Sequence, residues 1–238
     1  NSSFPTLGNL AANSTLEYNN VSVTLSTSTS YKNLKLSGSG TKTLPGGTTT
    51  ISGNLVLDNC TLDGSSASPF STIELAGDLT YIGTVTPPAA ANSITLATTG
   101  TGSGTQTFTG AGNTLRWFRI QTTTANTILL SNTGGSTNLF LGNSSGGGIT
   151  LADGSLLNMN GNDFQLFNGT AVSAAFVMTT GTVSTTSATD FIIERTGNGN
   201  LGTLRFTSGS NTIGNLTLNH TGTSNTLTIG NALQVKGT

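Results

Sequence analysis

The chain has 238 residues, a net charge of −1, 34% apolar residues, 32 glycines, five prolines and only 7% charged residues. A compact two-layer core normally needs more large apolar side chains than this, and a disordered chain normally carries more charge or proline. The charge excludes a basic nucleic-acid groove, since Lys32, Lys35 and Lys42 are the nearest approach to a positive patch, and no apolar run is long enough to predict membrane insertion by this segment.

Short alternating strings of Val, Ile and Leu predict strands at 16–18, 21–25, 34–36, 49–51 and 55–57. Further strands are expected at 73–75, 79–81, 94–96, 105–109, 115–120 and 128–130. The later part adds 139–141, 149–151, 164–166, 176–178, 191–193, 204–206, 216–218, 227–229 and 233–235. Gly, Asn, Ser and Pro fill the gaps, which is turn chemistry. No stretch sustains a 3.6-residue period, so no long helix is expected. Less regular loops are expected near 84–92, where two prolines are consecutive, and near 100–104, 142–148 and 178–189. The whole of 1–238 reads as one continuous domain.

One phrase returns four times: Asn33-Leu34-Lys35-Leu36, Asn54-Leu55-Val56-Leu57, Asn138-Leu139-Phe140-Leu141 and Asn215-Leu216-Thr217-Leu218. A spacing of 21 separates Leu34 from Leu55, Ile73 from Ile94, Ile120 from Leu141, Leu130 from Leu151 and Phe206 from Leu227. That period is too short for a propeller blade and fits one coil of an all-β, single-domain parallel β-helix (β-solenoid). Right-handed coils are the common form of such repeats, although a period does not itself set the hand. One coil buries its few inward side chains only when the next stacks about 4.8 Å above it. About eleven coils and a length of roughly 50 Å follow from this period. Asn33 and Asn54 share an offset, so they are expected to stack and hydrogen-bond between coils.

The phrases around 16–19, 31–44 and 48–55, together with Asn211–Leu218 and Leu227–Asn231, resemble repetitive β-helical regions of large secreted and cell-surface proteins of Bacteroidetes-like bacteria. The resemblance covers about 16–63 and 204–236. It implies an adhesin-like, extracellular setting in which this chain is a segment of a longer repetitive protein. Neighbouring repeats of that chain, surface glycans, or host and environmental surface proteins are then the implied partners.

Chemistry-bearing residues are few. The acids are Glu17, Asp58, Asp63, Glu74, Asp78, Asp153, Asp163, Asp190 and Glu194. Asp58 with Asp63, and Asp153 with Asp163, are the pairs to consider for a glycosidase, but turn positions explain them as well. His220 is the only histidine and Cys60 the only cysteine, so neither a Ser/His/Asp arrangement nor a His/Cys metal site is legible. No catalytic residue, metal or cofactor is expected, and Cys60 is expected to be buried. The glycine clusters at 102–112 and 146–148 lack the Gly-Lys-Ser ending of a phosphate loop and read as corners.

Two surface features stand out. Thr41/Thr43, Thr48/Thr50, Thr105/Thr107/Thr109 and Thr122/Thr124 put hydroxyls on alternate positions, the form of an ice-binding face or simply of exposed strands. Tyr18, Tyr31, Tyr81 and Trp117 are candidates for a sugar platform. In the run Leu115 to Ile120, alternation with Phe118 and Ile120 inward places Trp117 and Arg119 outside as a ligand contact, the alternative being that Trp117 packs under a neighbouring loop. The expected function is a non-catalytic structural or adhesive segment, a rigid stalk or passenger. A carbohydrate-binding or polysaccharide-cleaving β-helix is the alternative, followed by an ice-binding face or an inert spacer.

Overall fold

A computed structural model describes residues 11, 13–26, 30–64, 70–86, 94–100, 104–143, 146–169 and 174–237. Within them are twenty-six short strands and no helix. Every strand-to-strand pairing is parallel, and the strands stack as a β-solenoid of about 8 turns with roughly 24 residues per turn. At the parallel-strand spacing this is a stack of roughly 40 Å.

Each coil has three sides. The first is a ten-stranded sheet running from Thr15–Asn19 through Asn33–Ser37 and Leu55–Asp58 to Gln234–Val235. The third is an eight-stranded sheet running from Gly47–Ile51 to Asn225–Ile229. The side between them in chain order is made by two different sheets. Early coils use a three-stranded sheet of Val23–Thr24, Thr41–Leu44 and Thr61–Gly64. Later coils use a five-stranded sheet that starts at Leu115–Trp117 and continues through Leu139–Asn143, Phe164–Asn168, Phe191–Arg195 and Leu216–His220. Among the described residues, the coil between these two sheets contributes only a Thr61–Thr86 bridge to this side. The prolines expected to disturb the array follow directly, at 87 and 88, outside the described residues.

Alternation explains the strands. Leu139–Asn143 and Phe164–Asn168 bury every second side chain. Inward residues of successive coils touch and form one apolar cluster from Tyr18 to Ile213. Phe164 and Phe191 stack with ring centroids 4.9 Å apart, and Phe206 meets Phe191 edge-on at 5.7 Å. The core opens in the last coil, where Leu218 is 47% and Val235 49% exposed.

The 21-residue period needs correction. Of the five spacings, only Leu34 to Leu55 is a true register pair. Elsewhere the partners are Leu16 with Leu34, Leu55 with Leu79, Leu79 with Phe108, Ile128 with Leu157 and Leu157 with Val183. Corners of unequal length change the return from coil to coil, which averages roughly 24 residues rather than 21, and about 8 turns are present among the described residues where eleven were expected of the whole chain. The polar 178–189 stretch contains the strand Thr182–Thr185, with Val183 inward. Sequence patterning also missed Thr41–Leu44, because Lys42 occupies one of its inward positions.

The expected Asn stack is present, and there are two of them. Entering the ten-stranded sheet, the Asn54 amide donates to Asn33 Oδ1 at 2.9 Å, the Asp78 amide to Asn54 Oδ1 at 2.8 Å, and the Thr107 amide to Asp78 Oδ1 at 2.7 Å. Entering the five-stranded sheet, the Asp163, Asp190 and Asn215 amides donate to Asn138, Asp163 and Asp190 Oδ1 at 3.0, 3.0 and 2.8 Å. Each side chain thus accepts the backbone N–H of the next coil. All four Asn-Leu-x-Leu phrases sit in these ladders, but at two different corners.

Candidate contact face

Most of the acids are committed to holding coils together. Asp78, Asp163 and Asp190 are ladder members. Lys35 Nζ lies 3.2 Å from Glu17 Oε1 and 3.3 Å from Asp58 Oδ2, linking three coils on the outside of the ten-stranded sheet. Hydrogen bonding from Ser37, followed by Lys35, holds the Glu17 carboxyl below the usual range, and Glu17 raises Lys35. Asp153 accepts from the Thr180 amide and hydroxyl, and Glu194 from Gln165. Asp58 and Asp63 belong to strands of different sheets, and Asp153 accepts from Thr180 while Asp163 accepts from the Asp190 amide. Among the described residues no three His, Cys, Asp or Glu gather to hold a metal. Cys60 is buried, which pushes its thiol up, and the glycines at 146–148 adopt φ of 135–158° where backbone segments crowd together.

Several cations are similarly committed. Lys42 is fully buried, and its Nζ donates to the carbonyls of Val21 at 2.6 Å, Ser39 at 3.3 Å and Gly40 at 3.4 Å. Arg195, also buried, donates to Gly197 and Asn198 carbonyls. Arg205 donates to Met178 and Gly230.

Arg116 and Arg119 are used differently. Arg116 projects from the first strand of the five-stranded sheet, and its guanidinium lies 4.6 Å from the Phe140 ring centroid, one coil on. Arg119 lies 5.9 Å from the Phe118 ring. Phe118 in turn meets Phe70, itself 43% exposed, with centroids 6.0 Å apart. Desolvation lowers the Arg119 pKa. The cluster wraps the corner between two sheets, beside the interruption on the coil's second side.

The outward placement of Trp117 is overturned in favour of burial, in the core itself rather than under a loop. Trp117 is 3% exposed and belongs to the core, while Arg116 is exposed and Phe118 half-buried. The alternation resets because Leu115–Trp117 ends one sheet side, Phe118 turns the corner and Arg119–Thr122 begins the next. Leu115, Trp117 and Ile120 therefore point inward together. Arg119 stays on the outer side, as expected. The tyrosine platform is also corrected: Tyr18, Tyr31 and Tyr81 are all buried. Burial raises the Tyr18 hydroxyl to about 12 and pushes the Tyr81 hydroxyl up as well.

The threonine sets do not form one array. Thr41/Thr43 lie on the three-stranded sheet, Thr48/Thr50 on the eight-stranded and Thr105/Thr107/Thr109 on the ten-stranded sheet. Thr122 points inward and donates to Ser155. Sequence reasoning missed Arg116, Phe140, Phe118 and Phe70 as a cluster. The register Arg116 to Phe140 would have revealed the first pair, had the return been taken as 24 at this coil.

No protein-family model, curated protein or solved structure matches the chain.

Proposed function

We propose that the chain is a structural and adhesive segment, a rigid stalk or passenger, of a secreted or cell-surface protein, and that it is not catalytic. The supporting observation is the inter-coil use of most of its acids and of several of its bases, which fits a load-bearing rod. The resemblance of its repeat phrases to bacterial surface β-helices supports the same reading and the extracellular setting. Glycans or surface proteins are the proposed partners. The Arg–aromatic cluster favours one alternative in particular, a carbohydrate-binding β-helix.

The test uses the chain coupled to beads and presented to glycan-coated and host-cell surfaces, with reducing-end release measured on the same polysaccharides. Adherence without release is expected. Depolymerisation of any polysaccharide overturns the non-catalytic reading. Failure to adhere to every surface overturns the adhesive one in favour of a spacer.

A further inference from the structure

We infer that the corner cluster of Arg116, Phe140, Phe118, Arg119 and Phe70 binds an anionic polysaccharide, one whose sugars carry carboxylate or sulfate groups. This rests on the adhesive reading above and names the class of its ligand.

Three observations carry it. First, the two guanidiniums are available to an anion. All nine acids of the chain lie among the described residues, and none of them lies within ion-pair distance of Arg116 or Arg119. Arg116 and Arg119 are held over ring faces at 4.6 and 5.9 Å, a placement that orients the planar fork without consuming its N–H donors. Second, the cluster joins aromatic surface to this charge. Phe70 is 43% exposed and packs on the half-buried Phe118, so sugar C–H faces and anionic substituents would meet complementary groups at one corner. Third, the support is rigid. Trp117 is sunk into the core between the two arginines, and the strand that carries Arg116 is paired along its length with Leu139–Asn143 of the next coil. Three residues of extended chain set the two arginine Cα atoms no more than about 11 Å apart, a span that one extended, multiply charged chain can bridge. A neutral glucan would leave both guanidiniums unmatched.

The experiment is affinity electrophoresis of the full chain through gels containing polygalacturonate, heparin or neutral dextran, with a single-stranded oligonucleotide as competitor. Retardation by at least one of the two anionic polymers, but not by dextran, is expected, and it should weaken as salt rises. The double variant R116Q/R119Q should bind about tenfold or more weakly, and R116K/R119K should lie between it and the wild type, because an ammonium lacks the bidentate fork. The single variant R116Q, at an exposed position, repeats the test without disturbing the half-buried Arg119. Equal retardation of wild type and both glutamine variants overturns the assignment, as does equal retention by dextran. An oligonucleotide that displaces the polysaccharide at equal charge concentration overturns it in favour of nucleic acid. Bead adherence separates the two readings: if R116Q/R119Q still adheres like the wild type, this site is wrong while the adhesive reading stands.

Discussion

Removing one rung from an Asp/Asn ladder should loosen a single coil boundary. Asp190 receives the Asn215 backbone N–H at 2.8 Å and the Asn215 side-chain amide at 3.1 and 3.2 Å. Asp190→Ala removes all three contacts and leaves the Asn215 N–H without its acceptor at the entry to Leu216–His220. Hydrogen bonds to a charged acceptor contribute about 1.5–3 kcal/mol each when buried. Asp190 is half-buried and Asn215 lies at the surface, so the total is set near the lower end, about 2 kcal/mol. In a stacked array each coil touches only its neighbours, and the loss should be confined to the last coils. Hydrogen exchange over residues 214–220 should accelerate about thirtyfold, the equivalent of that energy, while residues 34–57 exchange at the wild-type rate. Asp190→Asn keeps an Oδ1 acceptor for the Asn215 N–H but loses the charge and the Oδ2 contact, and should cost about 1 kcal/mol, roughly half the alanine change. Unchanged exchange at 214–220 in Asp190→Ala, or identical behaviour of the Ala and Asn variants, would refute the ladder as a source of stability.

Other outcomes follow from the same structure. Leu57→Ala, at a fully buried position, should cost about 2–5 kcal/mol in denaturant unfolding, whereas Leu218→Ala, at 47% exposure, should cost less than about 1 kcal/mol; equal costs would mean that the last coil is covered in solution. Lys42→Met should destabilise by about 2–3 kcal/mol, because three carbonyls lose their donor, and a melting temperature at or above that of wild type would contradict this. The Glu17–Lys35–Asp58 link should act between two pH limits. Glu17 titrates low in the folded chain, so its contribution is present above the ordinary glutamate value and disappears as pH falls through the lowered one; Lys35 titrates high, so its contribution is present below the ordinary lysine value and disappears as pH rises through the raised one. The melting-temperature difference between wild type and Lys35→Met should therefore shrink at both extremes and in high salt, and a difference independent of pH would dismiss the link. Gly142→Ala should prevent normal stacking, since φ is +103° there and a Cβ would enter the Phe167 carbonyl; a wild-type unfolding midpoint would show that the corner can shift.

Sequence alone determined the class of fold, because two-residue alternation interrupted by Gly and Asn permits little besides short strands and tight corners. It also indicated the purpose of Asn33 and Asn54, since equal offsets in stacked coils bring equal side chains together. The number of coils was not legible. Corner lengths differ from coil to coil, and Asn-Leu-x-Leu marks two corners rather than one, so distances between phrases mix registers from two sheets. The contact face was half legible: the stretch from Arg116 to Arg119 stood out, yet Trp117 was assigned to the wrong side. One corner residue, Phe118, reverses the alternation, and a corner is fixed by which sheet each flanking strand joins. Only the stacked structure decides that, because the hydrogen bonds that choose the sheet come from residues a full coil away. The same stacking carries Phe140 over Arg116 and Phe70 over Phe118, turning scattered residues into one surface.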